Sequence, residues 1–349
     1  MSRSPRNSPR LADTPPATAP ATLQAVAEAA GVSPSTVSRI LTGNAPVSPN
    51  KQEAVRQAIA RLGFVPNPTA RGLAGGRTLT IGVITQSIDS PFYGGALRGI
   101  EDVLDRAGYQ AIFMSGHWSA ATEARCVEAL RARRVDGLIV LTGRLSAAAL
   151  REAARERPVV VTGRSVKAER LHAIGFDNQA GARLATEHLL ALGHRQIAFI
   201  GGDPAQADAR ARLQGYQAAL KAAGVPLRPE LLMPGLFTEE SGLVAVNHLL
   251  DSRVPFTAIQ AANDQMAFGA CLGLHRRGLR VPDDVSLVGF DDLAGASYML
   301  PPLTTVRHPA YAIGRAAADA VLQLLRDENP TASAPQPQMV LRESTRPAA

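Results

Sequence analysis

At 349 residues, 46% of them hydrophobic, the chain is long enough for two or three domains, each with a sizeable core. Cys126 and Cys271 are its only cysteines and show no metal-ligand spacing, so they read as core residues, and neither a disulfide framework nor a metal site is expected. The net charge of +7 is unevenly placed: residues 1–77 carry nine Lys and Arg against Asp13, Glu28 and Glu53, a net of +6, which suits a polyanionic partner. No apolar run approaches the ~18–20 residues of a membrane span. No apolar h-region follows the N-terminal arginines, so a signal peptide is not expected and the cytoplasm is the expected compartment.

Residues 1–21 are rich in Pro and Arg and lack apolar periodicity, which predicts a disordered leader. From Thr22 the period is helical. Thr22 is placed to cap a first helix with Leu23, Val26 and Ala27 inward and Gly31 ending it. Ser33 with Pro34 starts a second helix whose inward face is Val37, Ile40 and Leu41. Ser48 with Pro49 repeats that start signal for a third, with Val55, Ile59 and Leu62 inward and Gly63 closing it. Three short helices with a tight turn between the first two fit a helix-turn-helix.

Beyond residue 78 the texture changes to apolar strand-like runs alternating with amphipathic helices. The runs are LTIGVIT (79–85), QAIFMSG (110–116), DGLIVLTG (136–143), PVVVTG (158–163) and HAIGFD (172–177), then QIAFIGG (196–202), FTAIQAAN (256–263) and DVSLVGFDD (284–292). Two such series predict two doubly wound α/β lobes with parallel sheets, which bind ligands at the carboxyl ends of their strands. No nucleophile elbow, phosphate loop or HExxH occurs, and the histidines of EHLLALGH are six apart and share no helix face. Catalytic residues and cofactors are therefore not expected.

The motifs AxxAGVSxxTVSRIL, FVPNxxARGLA, ANDQMAFGA, VSLVGFDDL and PPLTTVR follow one another from Thr22 to about Thr345. In order and spacing this sequence resembles the lactose/galactose repressor (LacI/GalR) family. The resemblance implies a helix-turn-helix over 22–66, a hinge over 67–78 and a periplasmic-binding-protein-like effector and dimerisation domain over 79–349. Lobe one would take about 79–176 and 308–337, and lobe two about 177–307 and 338–349, with crossings near Phe176, Val306 and Gln338. Residue matching places Pro34, Ser35, Ser38 and Arg39 at base-reading positions, with Thr22, Thr36 and Ser48 capping helices and holding phosphates. In the hinge, Asn67 opens a helix, Arg71 is basic, and Leu73 is the expected wedge between base pairs in the minor groove.

The same matching places Asp89, Arg164, Arg212, Phe237, Asn263 and Asp291 in the effector pocket, with Trp118 either there or in plain core. Charged forks and carboxylates suit vicinal hydroxyls, and an aromatic ring suits the apolar face of a sugar. Asp264 is expected to cap the following helix, and His308 is left between the pocket edge and a lobe-crossing strand. The expected partners are double-stranded, pseudo-palindromic operator DNA, a small effector of sugar type, and a second copy of the chain. A purine-like corepressor and a transporter's solute-binding protein stand as alternatives; the basic front end opposes the second.

Overall fold

The computed structural model describes residues 21–42, 46–64 and 77–348; residues 1–20 of the expected leader and the hinge residues Asn67, Arg71 and Leu73 lie outside them. The chain forms two compact units, 1–78 and 79–349. In the first, α1 (Leu23–Ala29), α2 (Pro34–Thr42) and α3 (Pro49–Leu62) surround a core of Val26, Ala27, Val37, Val55 and Ala58. Thr22 Oγ1 accepts the Ala25 amide at 3.2 Å, and Ser33 Oγ accepts the Thr36 amide at 3.2 Å, so the caps expected at Thr22 and Ser33 form. Gly31, at φ +63°, provides the left-handed turn between α1 and α2. Ser48 starts α3 without a side-chain cap bond. Leu62, expected inward, is exposed: Gly63 turns left-handed, and Phe64 folds back on the core in its place.

The second unit holds two sheets. The first is built from β1 (Thr80–Thr85), β2 (Gln110–Ser115), β3 (Gly137–Leu141), β4 (Val159–Thr162) and β5 (Leu171–Ile174), all parallel, in the order 2-1-3-4-5. Between these strands run α4 (Pro91–Arg106), α5 (Ala120–Ala132) and α6 (Ala147–Glu156). Alternate side chains go to opposite faces, as strand geometry requires. Ile81, Val83, Ile139 and Val160 enter one core; Ile84, Leu138, Val140 and Val161 enter another with Cys126, Leu130 and Leu150. Both cysteines are free thiols, Cys126 buried and Cys271 half-buried.

The second sheet is β6 (Ile197–Ile200), β7 (Leu232–Met233), β8 (Ala258–Ala261), β9 (Ser286–Asp291), β10 (Thr304–Arg307) and β11 (Gln338–Val340), in the order 11-10-9-8-6-7. Its helices are α7 (Asn178–Ala191), α8 (Ala207–Ala222), α9 (Glu239–Asp251) and α10 (Asp264–Arg276). Without β11 this repeats the order of the first sheet. The short strands β7, β10 and β11 carry too few apolar residues to stand out in sequence. β11 is antiparallel to β10, a departure from the all-parallel expectation, because it is an edge strand added by a returning chain. Beyond β11 the tail stays on this lobe: the Leu287 amide bonds Ser344 and the Ala348 amide bonds Leu192, each at 2.8 Å.

The chain leaves the first sheet at Phe176, returns after β10 at His308 to form α11 (Ala310–Leu325) against α4, and passes again to the second sheet before β11. Helix pairs approach closely through glycine. A Cβ on Gly269 in α10 would lie 1.8 Å from the Glu239 carbonyl oxygen of α9, and one on Gly314 in α11 would lie 2.1 Å from the Ala96 carbonyl oxygen of α4. Gly269→Ala is therefore expected to destabilise the protein by about 1–3 kcal/mol through overpacking, outweighing alanine's helix advantage of about 1 kcal/mol. Thermal melting checks this, and an unchanged or raised Tm counts against the packing argument.

Candidate functional site

Two surfaces stand out. On α2, Pro34, Ser35 and Arg39 are exposed and Ser38 is half-exposed, while Val37 is buried. Spacings of three and four residues put Ser35, Ser38 and Arg39 on one outward face. Thr36 is half-buried and bonded to Ser33, and Thr22 is engaged in its cap, so these two shape the helix starts.

The other surface is a cleft of about 390 Å³ between the lobes of the second unit. It lies at the carboxyl ends of the strands where the order reverses, between β1 and β3 and between β6 and β8, as doubly wound sheets favour. Of the residues expected there, Asp89, Trp118, Arg212, Phe237, Asn263 and Asp291 all line it. Arg164 does not: after Gly163 (φ +66°) its guanidinium donates to the Leu145 carbonyl within lobe one. Tyr93, Gln206 and Asp208 line the cleft and were missed. Asp208 precedes Arg212 by four residues on α8, a same-face spacing that marks it in retrospect.

Arg212 is the buried centre. Its Nε donates to Asn178 Oδ1 at 2.8 Å, one terminal nitrogen donates to the Ala262 carbonyl, and the other is 3.4 Å from Asp291 Oδ1 and 3.5 Å from His308 Nδ1. Its guanidinium carbon lies 3.8 Å from the Phe290 ring centroid and 5.6 Å from that of Phe237. A buried charge requires this many partners. Asp291 adopts φ +118° at the end of β9, a conformation costly for a non-glycine residue. Its neighbour Asp292 pins that turn, accepting from Arg307 at 2.8 Å and Arg342 at 2.6 Å.

The aromatic residues are held with equal care. The Trp118 amide donates to the buried Gln86 Oε1 at 2.8 Å, and the Phe237 carbonyl accepts from Asn263 Nδ2 at 3.0 Å. Asn263 Oδ1 in turn accepts the Met266 amide at 2.9 Å, so Asn263 caps α10. The cap was expected at Asp264. Instead, Asp264 is fully buried one residue inside the helix, accepting the Leu293 amide at 2.7 Å and the Thr305 hydroxyl at 2.6 Å. Burial, then the nearby Asp291 charge, push its carboxyl well above the usual range.

His308 settles at the lobe crossing, below the cleft. Its ring stacks on Phe176 at 3.9 Å, joining two of the crossings, and burial holds its pKa below the ordinary histidine value. Farther out, Arg144 of lobe one bridges to Asp203 of lobe two at 2.6 Å. The loop carrying Arg144 is anchored on buried Glu123, which accepts the Arg144 and Leu145 amides at 2.9 and 2.8 Å.

A three-helix unit with a polar outer face, joined to a two-lobed α/β unit with a charged and aromatic cleft, defines a ligand-responsive DNA-binding protein. Residues 22–67 match "Bacterial regulatory proteins, lacI family", and residues 78–341 match "Periplasmic binding proteins and sugar binding domain of LacI family". The chain belongs to the LacI family. It is 36% identical to the HTH-type transcriptional regulator CelR of Thermobifida fusca, over 93% of this chain and 98% of that one. It is 34% identical to the HTH-type transcriptional regulator GalR of Escherichia coli, over 87% and 89% of the two chains. A solved lac repressor dimer bound to operator and the anti-inducer ONPF superposes with a TM-score of 0.84 at 33% identity, covering 94% of this chain and all of that one.

Asp291→Ala would remove the buried carboxylate paired with Arg212. It is expected to cost about 3–5 kcal/mol, the usual penalty for breaking a buried pair, and the double replacement Arg212→Met with Asp291→Leu is expected to cost less than the single change. Urea unfolding checks this; a wild-type midpoint for Asp291→Ala removes the pair from the structural role given to it. For Asp264 the folded-state pKa is raised, so its favourable contribution is full below the unfolded carboxylate pKa and is lost as pH rises through the folded value. The Tm of wild type relative to Asp264→Asn should therefore rise as pH falls from neutral toward about 4, near the free carboxylate value. A pH-independent difference would contradict the buried, protonation-prone carboxyl.

Proposed function

We propose that this chain is a sequence-specific transcriptional repressor, acting in the cytoplasm as a homodimer on a pseudo-palindromic operator and released from it by a small carbohydrate. The observation that carries the reading is the cleft: the buried Arg212–Asp291 pair flanked by Phe237 and Trp118. Vicinal hydroxyls suit charged hydrogen-bond partners, and a sugar's C–H face suits an aromatic ring. CelR has been solved in a complex with cellobiose, and it is 35% identical to this chain in that comparison. The family's members are DNA-binding regulators, and we extend to this chain the reading that it performs no catalysis.

In this reading α2 enters the major groove, with Arg39 donating to guanine and Ser35, Ser38 and Pro34 facing neighbouring bases. Thr22, Thr36, Asn67 and Arg71 engage the backbone, and Leu73 wedges between base pairs in the minor groove. The lobes close on the effector about the Phe176 and His308 crossings and so alter the seating of the DNA-binding units.

Selection of binding sites from random duplexes, followed by titration of candidate sugars against the selected site, tests the whole reading. A palindromic consensus released by one sugar is the expected result, and no enriched sequence would overturn it. On that site Arg39→Ala should lose about 1–3 kcal/mol per half-site and flatten the preference at one base pair. Identical base-substitution profiles for mutant and wild type would take Arg39 out of the readout.

A further inference from the structure

The carboxyl ends of the strands are where helix amino termini converge, and such ends ordinarily welcome an anion. In this cleft each of them already carries an acid from the chain itself. Asp89 stands just before α4, Asp208 in the first turn of α8, Glu239 at the start of α9 and Asp264 at the start of α10. Asp89, Asp208, Glu239 and Asp291 line the cleft against one guanidinium, that of Arg212. The hydrogen bond from Ser87 holds the Asp89 carboxyl below its usual range, so it is charged at neutral pH. Burial pushes the Asp208 carboxyl up, yet the lining stays acidic whether or not Asp208 holds its proton.

Nor is Arg212 free to clasp an anion. A guanidinium has five N–H donors, and bidentate capture of a phosphate or carboxylate needs two of them parallel and open. Here Asn178, the Ala262 carbonyl, Asp291 and His308 surround it on the protein side. The nearby cations are also engaged: Arg144 with Asp203, Arg164 with the Leu145 carbonyl and Arg210 with the Pro204 carbonyl. Asp208, by contrast, is half-buried and takes one hydrogen bond, from Asn178 Nδ2 to Oδ1 at 3.2 Å. It also lines the small inner extension of the cleft beside Tyr93 and Thr142.

Building on the carbohydrate reading of this cleft, we infer that it accepts uncharged sugars and rejects their phosphorylated and carboxylated counterparts, the carboxylates that line it setting the selection. A hydroxyl can donate to Asp208, whereas a phosphate placed near Arg212 must approach Asp208 and Asp291 together, and like charges in a partly desolvated site repel strongly.

The test is calorimetric titration of the full-length protein with matched sets: glucose, glucose 6-phosphate and glucuronate; galactose, galactose 6-phosphate and galacturonate; ribose and ribose 5-phosphate; and cellobiose. A neutral sugar is expected to bind, with its anionic partner at least about tenfold weaker and the gap narrowing as salt screens the charges. Asp208→Asn, nearly the same shape and beside Arg212, should narrow the gap. Glu239→Gln, at the exposed mouth, should narrow it less and guards against a folding defect at Asp208. Equal or tighter binding of the anionic member by wild type overturns the inference while leaving the carbohydrate reading intact. An unchanged gap in both folded variants overturns the assignment of the selection to the acidic lining. If neither arm binds, the carbohydrate reading fails and this inference falls with it.

Discussion

Placing one guanidinium out of water organises the second lobe. Arg212 gives up its hydration and receives in exchange an amide oxygen from α7, a backbone carbonyl after β8, a carboxylate at the end of β9 and the face of Phe290. The partners come from three segments, α7, the end of β8 and β9, so the charge is satisfied only when all three are in register with α8. That constraint explains the local oddities around it. Asp291 tolerates a costly backbone angle because Asp292, clamped by two arginines, fixes the turn from outside. Gly202 has no side chain because a Cβ there would lie 2.2 Å from the Phe237 ring. The cleft is thus rigid where chemistry is needed, which is the condition for spending little free energy on ordering it when a ligand arrives.

Between the lobes the contacts are of another kind. The Phe176–His308 stack lies at the crossings, where little displacement accompanies a rotation; His308 is buried and Phe176 half-buried. The Arg144–Asp203 bridge lies at the rim, where displacement is largest, and it is part-exposed. An exposed ion pair contributes about 0–1 kcal/mol, so it biases closure without locking it. A stiff pivot with a weak rim contact is an arrangement in which a ligand's own contacts decide the balance between open and closed forms.

The repeating βα texture was plain in the sequence because strands buried on both faces must be almost wholly apolar, as GLIVL and VVVT are. β7, β10 and β11 were not, since short edge strands or strands carrying Thr and Arg leave no such run. Helix caps were legible to within a residue: Thr22 and Ser33 behaved as expected, but Asn263 took the role given to Asp264, because either side chain suits a cap and only tertiary packing chose between them. In the cleft, resemblance by motif found Arg212 and Asp291 yet carried Arg164 along, whose direction depends on the turn at Gly163. Asp208 was overlooked because its importance lies in what stands next to it across the lobes, and no spacing along one chain reports Tyr93 or Thr142.

The two units use opposite electrostatics, and this bears on how they communicate. The basic excess of the chain sits in residues 1–77, while the cleft is lined by four carboxylates and one guanidinium. DNA phosphates are attracted to the first and repelled by the second; an uncharged ligand is indifferent to the field of the first. The two partners therefore do not compete for one surface. In the function proposed above the coupling is geometric: a change in the angle between lobes, set by contacts that differ between open and closed forms, and passed along the chain that joins lobe one to the helix-turn-helix. On that view Arg212 and its partners act on DNA through the shape they stabilise, and a substitution among them is felt at the operator as a changed balance between open and closed lobes.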